Sequence, residues 1–145
     1  VTQGPLPVSF HDLDVTARTL WGEARGEDEM GQRAVAWVIR NRADWPGGPH
    51  WWGDTALKVC MKPMQFSCWN AADPNREKML ALKMESQEYR TLHEIARAVM
   101  TGEVDDPTGH ASHYERIGTG AEWARGRQPS ATIGNHAFYS IGPAR

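Results

Sequence analysis

Glu23-Ala24-Arg25-Gly26-Glu27 places two carboxylates at the junction of two helices, where one of them can be held against an apolar surface. Val15, Ala17, Leu20, Trp21 and Ala24 recur at helical spacing, Asp14 is available as an N-cap, and Gly26 is a stop signal. This spacing sets Glu23 beside Leu20 and Trp21. Burial disfavours an ionised carboxylate and raises its pKa, which is what a general acid needs near neutral pH. Most glutamates at helix ends are ordinary solvated side chains, so the motif alone is weak.

One placed acid among aromatic residues fits glycoside cleavage, where protonating the bridging oxygen turns a poor alkoxide leaving group into an alcohol. A second carboxylate usually serves as nucleophile or base. Glu27, Asp73, Asp105 and Asp106 are the alternatives, and none stands out. Glu27 reads as the cap of the next helix, Asp73 and Asp106 precede prolines at turns, and Asp105 precedes Asp106. Without a second carboxylate the substrate must assist through its own N-acetyl group. Of the seven tryptophans, Trp45, Trp51, Trp52, Trp69 and Trp123 fall in turn-like segments, where an indole can stack on a sugar ring.

His110, His113 and His136 raise a zinc alternative, because three imidazoles can hold a catalytic metal with an open position. Strand alternation does not automatically put all three on one face, and no His-Glu-x-x-His motif is present, so the expectation is no metal and no cofactor. Cys60 and Cys68 flank the seven residues Met61 to Ser67. They form either a short-loop disulfide or two small buried hydrophobes, and neither state favours a nucleophile.

The elements that must position these groups are mainly helical. After a lead-in over residues 1–12 and the helix carrying Glu23, a second helix is expected from Asp28 to Arg42, packing Met30, Ala34, Val35, Trp37, Val38 and Asn41 on one face. Trp45-Pro46-Gly47-Gly48-Pro49 forces a loop. A short helix follows Asp54 as far as Cys60, and Lys62 to Asn75 is irregular. Another short helix covers Arg76 to Met84, and a longer one runs from Ser86 to Gly102. His110 to Glu115 and Ala131 to Ile141 form a late hairpin, with Ala137, Tyr139 and Ile141 alternating against Phe138.

With 145 residues, the expectation is a single α+β domain over residues 1–145. A net charge of -2 and a pI near 6.3 give no argument for nucleic acid. No apolar run approaches the roughly 20 residues needed to span a bilayer, so no membrane insertion is expected. The N-terminus shows no export signal, which fits either removal of a leader or export by another route.

Four ordered blocks carry a family resemblance. They are Glu23-Ala24-Arg25-Gly26-Glu27 with Gly31-Gln32-Arg33-Ala34-Val35-Ala36 and Asn41-Arg42; Gln65-Phe66-Ser67-Cys68-Trp69-Asn70; Asp106-Pro107-Thr108-Gly109 with His113-Tyr114; and Ile133-Gly134-Asn135-His136-Ala137-Phe138-Tyr139. Together, from Thr16 to Tyr139, they resemble the SleB-type cell-wall hydrolases, which include spore-cortex-lytic enzymes and phage or prophage endolysins. The resemblance implies a lysozyme-like fold acting on the MurNAc-GlcNAc linkage of peptidoglycan glycan strands. It implies Glu23 as catalytic acid, then as base toward the C6 hydroxyl, closing a 1,6-anhydro ring as a lytic transglycosylase. One carboxylate then suffices. His110 stands where the family usually has a second glycine, so this turn needs a backbone geometry that histidine tolerates.

Within these blocks, Gln65 offers an amide to an N-acetyl or hydroxyl group, and Ser67 offers a small polar contact. Trp69 offers a stacking face, and Tyr114 a hydroxyl for the sugar or for Glu23. Glu27 and His113 complete the expected substrate-binding set. The expected protein is a monomer that degrades the bacterial cell wall from the periplasmic or extracellular side. A phage endolysin, made in the host cytoplasm, suits it; a processed bacterial wall enzyme would give the same chain. A hydrolytic muramidase, a zinc-dependent amidase or peptidase, and a non-catalytic glycan-binding module are the rivals.

Overall fold

A computed structural model describes residues 4–47 and 51–143. Part of the Trp45-to-Pro49 loop therefore lies outside the described residues. Five helices precede a small sheet: α1 (Phe10–Ala24), α2 (Glu29–Ala43), α3 (Ala56–Met61), α4 (Arg76–Leu80), α5 (Gln87–Met100), β1 (His113–Arg116), β2 (Ala131–Ile133) and β3 (His136–Tyr139). This is the expected α+β class.

α1 starts earlier than the sequence suggested, and Asp14 is not its cap. Ser9 accepts the Asp12 N–H at 3.1 Å while the Asp12 carboxylate accepts the Ser9 N–H at 2.8 Å, a reciprocal capping box. The helix therefore nucleates inside the supposed lead-in. The other Asp12 oxygen takes the Leu57 N–H at 2.8 Å, so one carboxylate ties the starts of α1 and α3. Asp14, a turn further in, binds Arg18 at 3.0 Å and accepts the Tyr89 hydroxyl at 2.6 Å, joining α1 to α5.

α2 is the buried axis of the molecule, not a helix with one packed face. Residues 34–43 are all buried, including Arg40, Asn41 and Arg42. Its cap is Asp28, whose side chain accepts the Gly31 N–H at 2.9 Å; Glu27 is free for another task. Around this axis α1, α3 and α5 close a core that holds Leu20, Trp37, Ile39, Val59, Val99 and Met100.

The expected second strand is itself a hairpin. β2 and β3 are joined at Gly134-Asn135, with Gly134 at φ +57°, and the antiparallel sheet has the order β1-β3-β2. Alternation along β3 holds as expected. Phe138 packs on Ala34, Val38 and Ala111, while Ala137 and Tyr139 face Ala124.

Asp106 organises the turn before β1. Its Oδ1 accepts the Thr108 N–H at 2.8 Å and the Thr108 hydroxyl at 2.6 Å. Its Oδ2 accepts from Asn41 Nδ2 at 3.0 Å and from the His110 N–H at 3.2 Å. Gly109 and His110 both have left-handed backbones, φ +70° and +63°. Histidine is thus held in a geometry that costs an L-residue roughly 1–2 kcal/mol, stabilised by Asp106 and by stacking on Trp45 at 4.7 Å. The turn keeps a glycine-like path although the residue has changed.

Candidate active site

Glu23 sits in the last turn of α1, where two cavities meet. One, of about 410 Å³, is lined by Glu23, Arg42, Met64, Gln65, Phe66, Ser67, His113, Tyr114 and Trp123. The other, of about 250 Å³, is lined by Glu23, Ala24, Gly26, Glu27, Arg116, Asn135 and His136. Glu23 is common to both, so a linear ligand crossing from one to the other passes its carboxyl. A larger depression of about 640 Å³ beside Trp51 and Lys62 has its carboxylate, Asp54, bonded to Lys58 at 3.0 Å. Size alone does not mark the site.

Burial raises the Glu23 pKa, the nearby charge of Asp73 raises it further, and the Ser67 backbone N–H opposes the shift. The apolar surface is not the one expected. Trp21 donates its indole N–H to Glu88 at 2.6 Å and is covered by Arg25 at 4.1 Å, turned toward α5. Cys68 and the partly buried Tyr114 phenol, from segments distant in sequence, are both close enough to feel the Glu23 charge. That same burial holds the Tyr114 pKa well above the ordinary phenol value.

The close approach of Cys68 is made possible by Gly22. A Cβ there would fall 2.5 Å from Cys68 Cβ and 2.8 Å from its Sγ. Gly22→Ala is therefore expected to push away the one-turn 3-10 segment Ser67–Trp69 and lower stability by about 1–3 kcal/mol. Thermal melts check this; an unshifted midpoint would contradict the close packing. Cys60 and Cys68 are free and buried, and burial pushes the Cys60 thiol up to about 12 and Cys68 higher. Neither is poised as a nucleophile.

Of the residues singled out from sequence, Gln65, Ser67, His113 and Tyr114 share the first cavity with Glu23, and Glu27 lines the second. Trp69 lines neither. Its indole N–H goes to Thr19 Oγ1 at 2.8 Å and its ring packs on the core, so its place in the motif is explained by packing. Glu27 is engaged within the protein: it accepts from the Asn135 N–H at 3.3 Å, Asn135 Nδ2 at 3.2 Å and His136 Nδ1 at 2.9 Å. Burial alone would raise its pKa, but these hydrogen bonds and the imidazole bring it below the ordinary carboxylate value.

His113 stands against Trp123 at 5.0 Å, and its pKa is pushed down to about 4 by burial and by the charges of Arg42 and Arg127. The Ser112 hydroxyl donates to the Ile141 carbonyl and so can only accept from His113 Nδ1, 2.9 Å away. A neutral imidazole with the proton on Nδ1 leaves Nε2 as an acceptor. The three histidines of the zinc alternative are dispersed: His110 lies on Trp45, His113 on Trp123 and His136 on Glu27. No group of three metal-ligating side chains gathers among the described residues.

Sequence reasoning missed Arg42 and Met64 in the first cavity and Arg116 and Asn135 in the second; it named Trp123 only among the stacking tryptophans and His136 only as a zinc candidate. Arg42, Asn135 and His136 lay inside the family-like blocks, and that position was the available signal. Met64 gave none; it is 79% exposed with a left-handed φ of +67°.

A family profile described as cell wall hydrolase matches residues 26–139. The spore cortex-lytic enzyme of Halalkalibacterium halodurans is 33% identical over 140 residues, covering 94% of this chain and 37% of that protein. That of Bacillus cereus is 31% identical, covering 94% and 47%. The chain thus spans less than half the length of these relatives. The crystal structure of the catalytic domain of Bacillus cereus SleB superposes with a TM-score of 0.72 at 28% identity, covering 94% of this chain and 95% of that one. The catalytic domain of the germination-specific lytic transglycosylase SleB from Bacillus anthracis gives 0.71 at 28%, covering 94% and 99%. The α+β fold is lysozyme-like, and the chain belongs to the SleB-type cell wall hydrolase family.

Proposed function

We propose that this chain cleaves the glycan strand of peptidoglycan at the MurNAc-GlcNAc linkage as a lytic transglycosylase, with Glu23 as both acid and base. The observation that carries the reading is a carboxyl of raised pKa at the meeting point of two cavities. Protonated Glu23 gives its proton to the bridging oxygen, and the C1–O bond breaks as positive charge develops on the MurNAc ring. The carboxylate so formed takes the C6 hydroxyl proton while that oxygen bonds to C1. The carboxyl is regenerated, and no water is consumed.

Single-carboxylate chemistry is supported by what the neighbouring acids do. Glu27 holds Asn135 and His136, Asp106 holds the turn before β1, and Asp73 accepts the Asn75 N–H at 2.8 Å. Gln65, Ser67 and Tyr114 offer polar contacts to the sugars, and Trp123 an indole face. In this reading residues 1–145 act as one catalytic domain, monomeric and without a cofactor, on the wall.

The test is digestion of purified peptidoglycan with sugar ends and amino groups counted separately. Sugar ends should appear, unaffected by a chelator. Amino groups that appear without sugar ends would mark a peptidase or amidase, and binding without release a non-catalytic module. Asp73→Asn separates one carboxylate from two. Removing its charge should lower the Glu23 pKa and move the alkaline limb of the rate profile downward in pH, with the maximal rate kept within about tenfold. A loss of about a thousandfold at every pH would make Asp73 the second catalytic carboxylate of a hydrolytic muramidase. A phage endolysin should prefer vegetative wall; a preference for cortex would set the chain beside its spore cortex-lytic relatives.

A further inference from the structure

The cavity beside Glu23 contains a cation that this chemistry does not use. The Arg42 guanidinium lies between aromatic rings, 5.4 Å from the Trp52 centroid and 5.3 Å from that of Phe66. Its Nε–H is donated to the Ser112 carbonyl at 2.7 Å. Among the described residues neither amino nitrogen donates to a protein acceptor, and Nη1 is buried without a partner. Arg18 and Arg40 differ, since Asp14 lies 3.0 Å from the first and Asp44 3.6 Å from the second.

A buried cation without a counter-charge is costly, and an apolar side chain would fill the same space more cheaply. Packing therefore does not account for a guanidinium at this place. It lines a cavity and has donors to spare, which suits an oxygen acceptor brought by a ligand. Guanidinium nitrogens match planar acyl oxygens, whether amide or carboxylate. Peptidoglycan sugars carry acyl oxygens in two groups: the N-acetyl of both sugars, and the lactyl side chain of MurNAc alone.

We propose that Arg42 recognises an acyl oxygen of the bound glycan and so sets the register of the strand across Glu23. This rests on the glycan-cleaving reading above. Arg42 is a positioning residue: it fixes which sugar bond meets the acid and does not itself transfer a proton.

Binding is measured in the Glu23→Gln background, so that ligand is not consumed. The two probes are a GlcNAc oligomer, which carries only N-acetyl groups, and a peptide-free GlcNAc-MurNAc fragment, which adds the lactyl carboxylate. Adding Arg42→Met should weaken the MurNAc fragment by about tenfold or more, and Arg42→Lys by less. A loss confined to that fragment assigns the lactyl oxygen; an equal loss with both probes assigns the N-acetyl oxygen. A folded Arg42→Met protein that binds both probes like its parent overturns the proposal.

Arg42→Met removes a buried hydrogen bond, so a second readout uses the parent with Arg42 intact. The guanidinium ¹⁵N–¹H resonances, identified by their loss in Arg42→Lys, should shift and exchange more slowly with solvent when glycan is added. Glycan binding that leaves them unmoved overturns the proposal while leaving the function intact. A parent that binds neither glycan overturns the glycan-cleaving reading and this inference together.

Discussion

Glu23→Gln is expected to lower glycan cleavage by about three orders of magnitude and to leave the fold at least as stable as wild type at neutral pH. The first effect follows from losing the only proton carrier in the proposed cycle, since a positioned acid is worth roughly 10²–10⁴ in rate. The second follows from the raised pKa of Glu23. Between the ordinary carboxylate value and this raised one, the folded state binds more protons than the unfolded state. Stability therefore falls as pH rises through that window. Glutamine, neutral throughout, is free of this penalty. The melting difference, mutant minus wild type, should be small in acid and grow toward neutral pH. Activity should show the matching alkaline limb, because only protonated Glu23 can start the reaction. A folded Glu23→Gln protein that still clears peptidoglycan at a wild-type rate would end the assignment.

Glu27→Ala should lower stability by about 2–3 kcal/mol and also reduce cleavage, although Glu27 carries no proton in the proposed reaction. Its side chain is only 10% exposed, and its carboxylate fastens the β2–β3 turn to the α1–α2 junction through Asn135 and His136. Both glycines of the contact leave room for it. A Cβ on Gly134 would fall 3.1 Å from Glu27 Oε1, and one on Gly31 2.9 Å from Glu27 Cβ. Truncation leaves Asn135 and His136 without their acceptor and releases the far wall of the second cavity. Because the folded pKa of Glu27 is depressed, its contribution is present above the ordinary carboxylate value and lost as pH falls through the lowered one. Urea melts of wild type and Glu27→Gln should therefore converge in acid. Equal melts at neutral pH would refute the tether.

The contrast between these two glutamates shows what was legible in the sequence. Glu23 stands out through the ordered blocks, and the helices around it follow from periodicity, although Ser9 and Asp28 rather than Asp14 and Glu27 cap them. The electrostatics of Glu23 do not: Cys68 and Tyr114, which feel its charge, come from segments distant in sequence, and the approach of Cys68 depends on Gly22. Glu27 was read as a cap because capping is a local rule, yet Asp28 caps and Glu27 bridges to a turn 108 residues away. Trp69 holds a motif position that packing explains, since motif order cannot say which way an indole turns. Arg42 was hidden because a charged residue near a helix end normally reads as solvated, whereas residues 34–43 of α2 are all buried. Gly134-Asn135 reads as the interior of one strand, although a positive φ at glycine folds that run into a hairpin.

Mass analysis of the soluble fragments released by wild type from purified peptidoglycan tests the central claim most directly. A cycle in which Glu23 alone supplies and retrieves the proton consumes no water, so the fragments should end in 1,6-anhydro MurNAc, lighter by one water than hydrolysed ends. Fragments ending only in reducing MurNAc would show that water is the acceptor, and would contradict the single-carboxylate account.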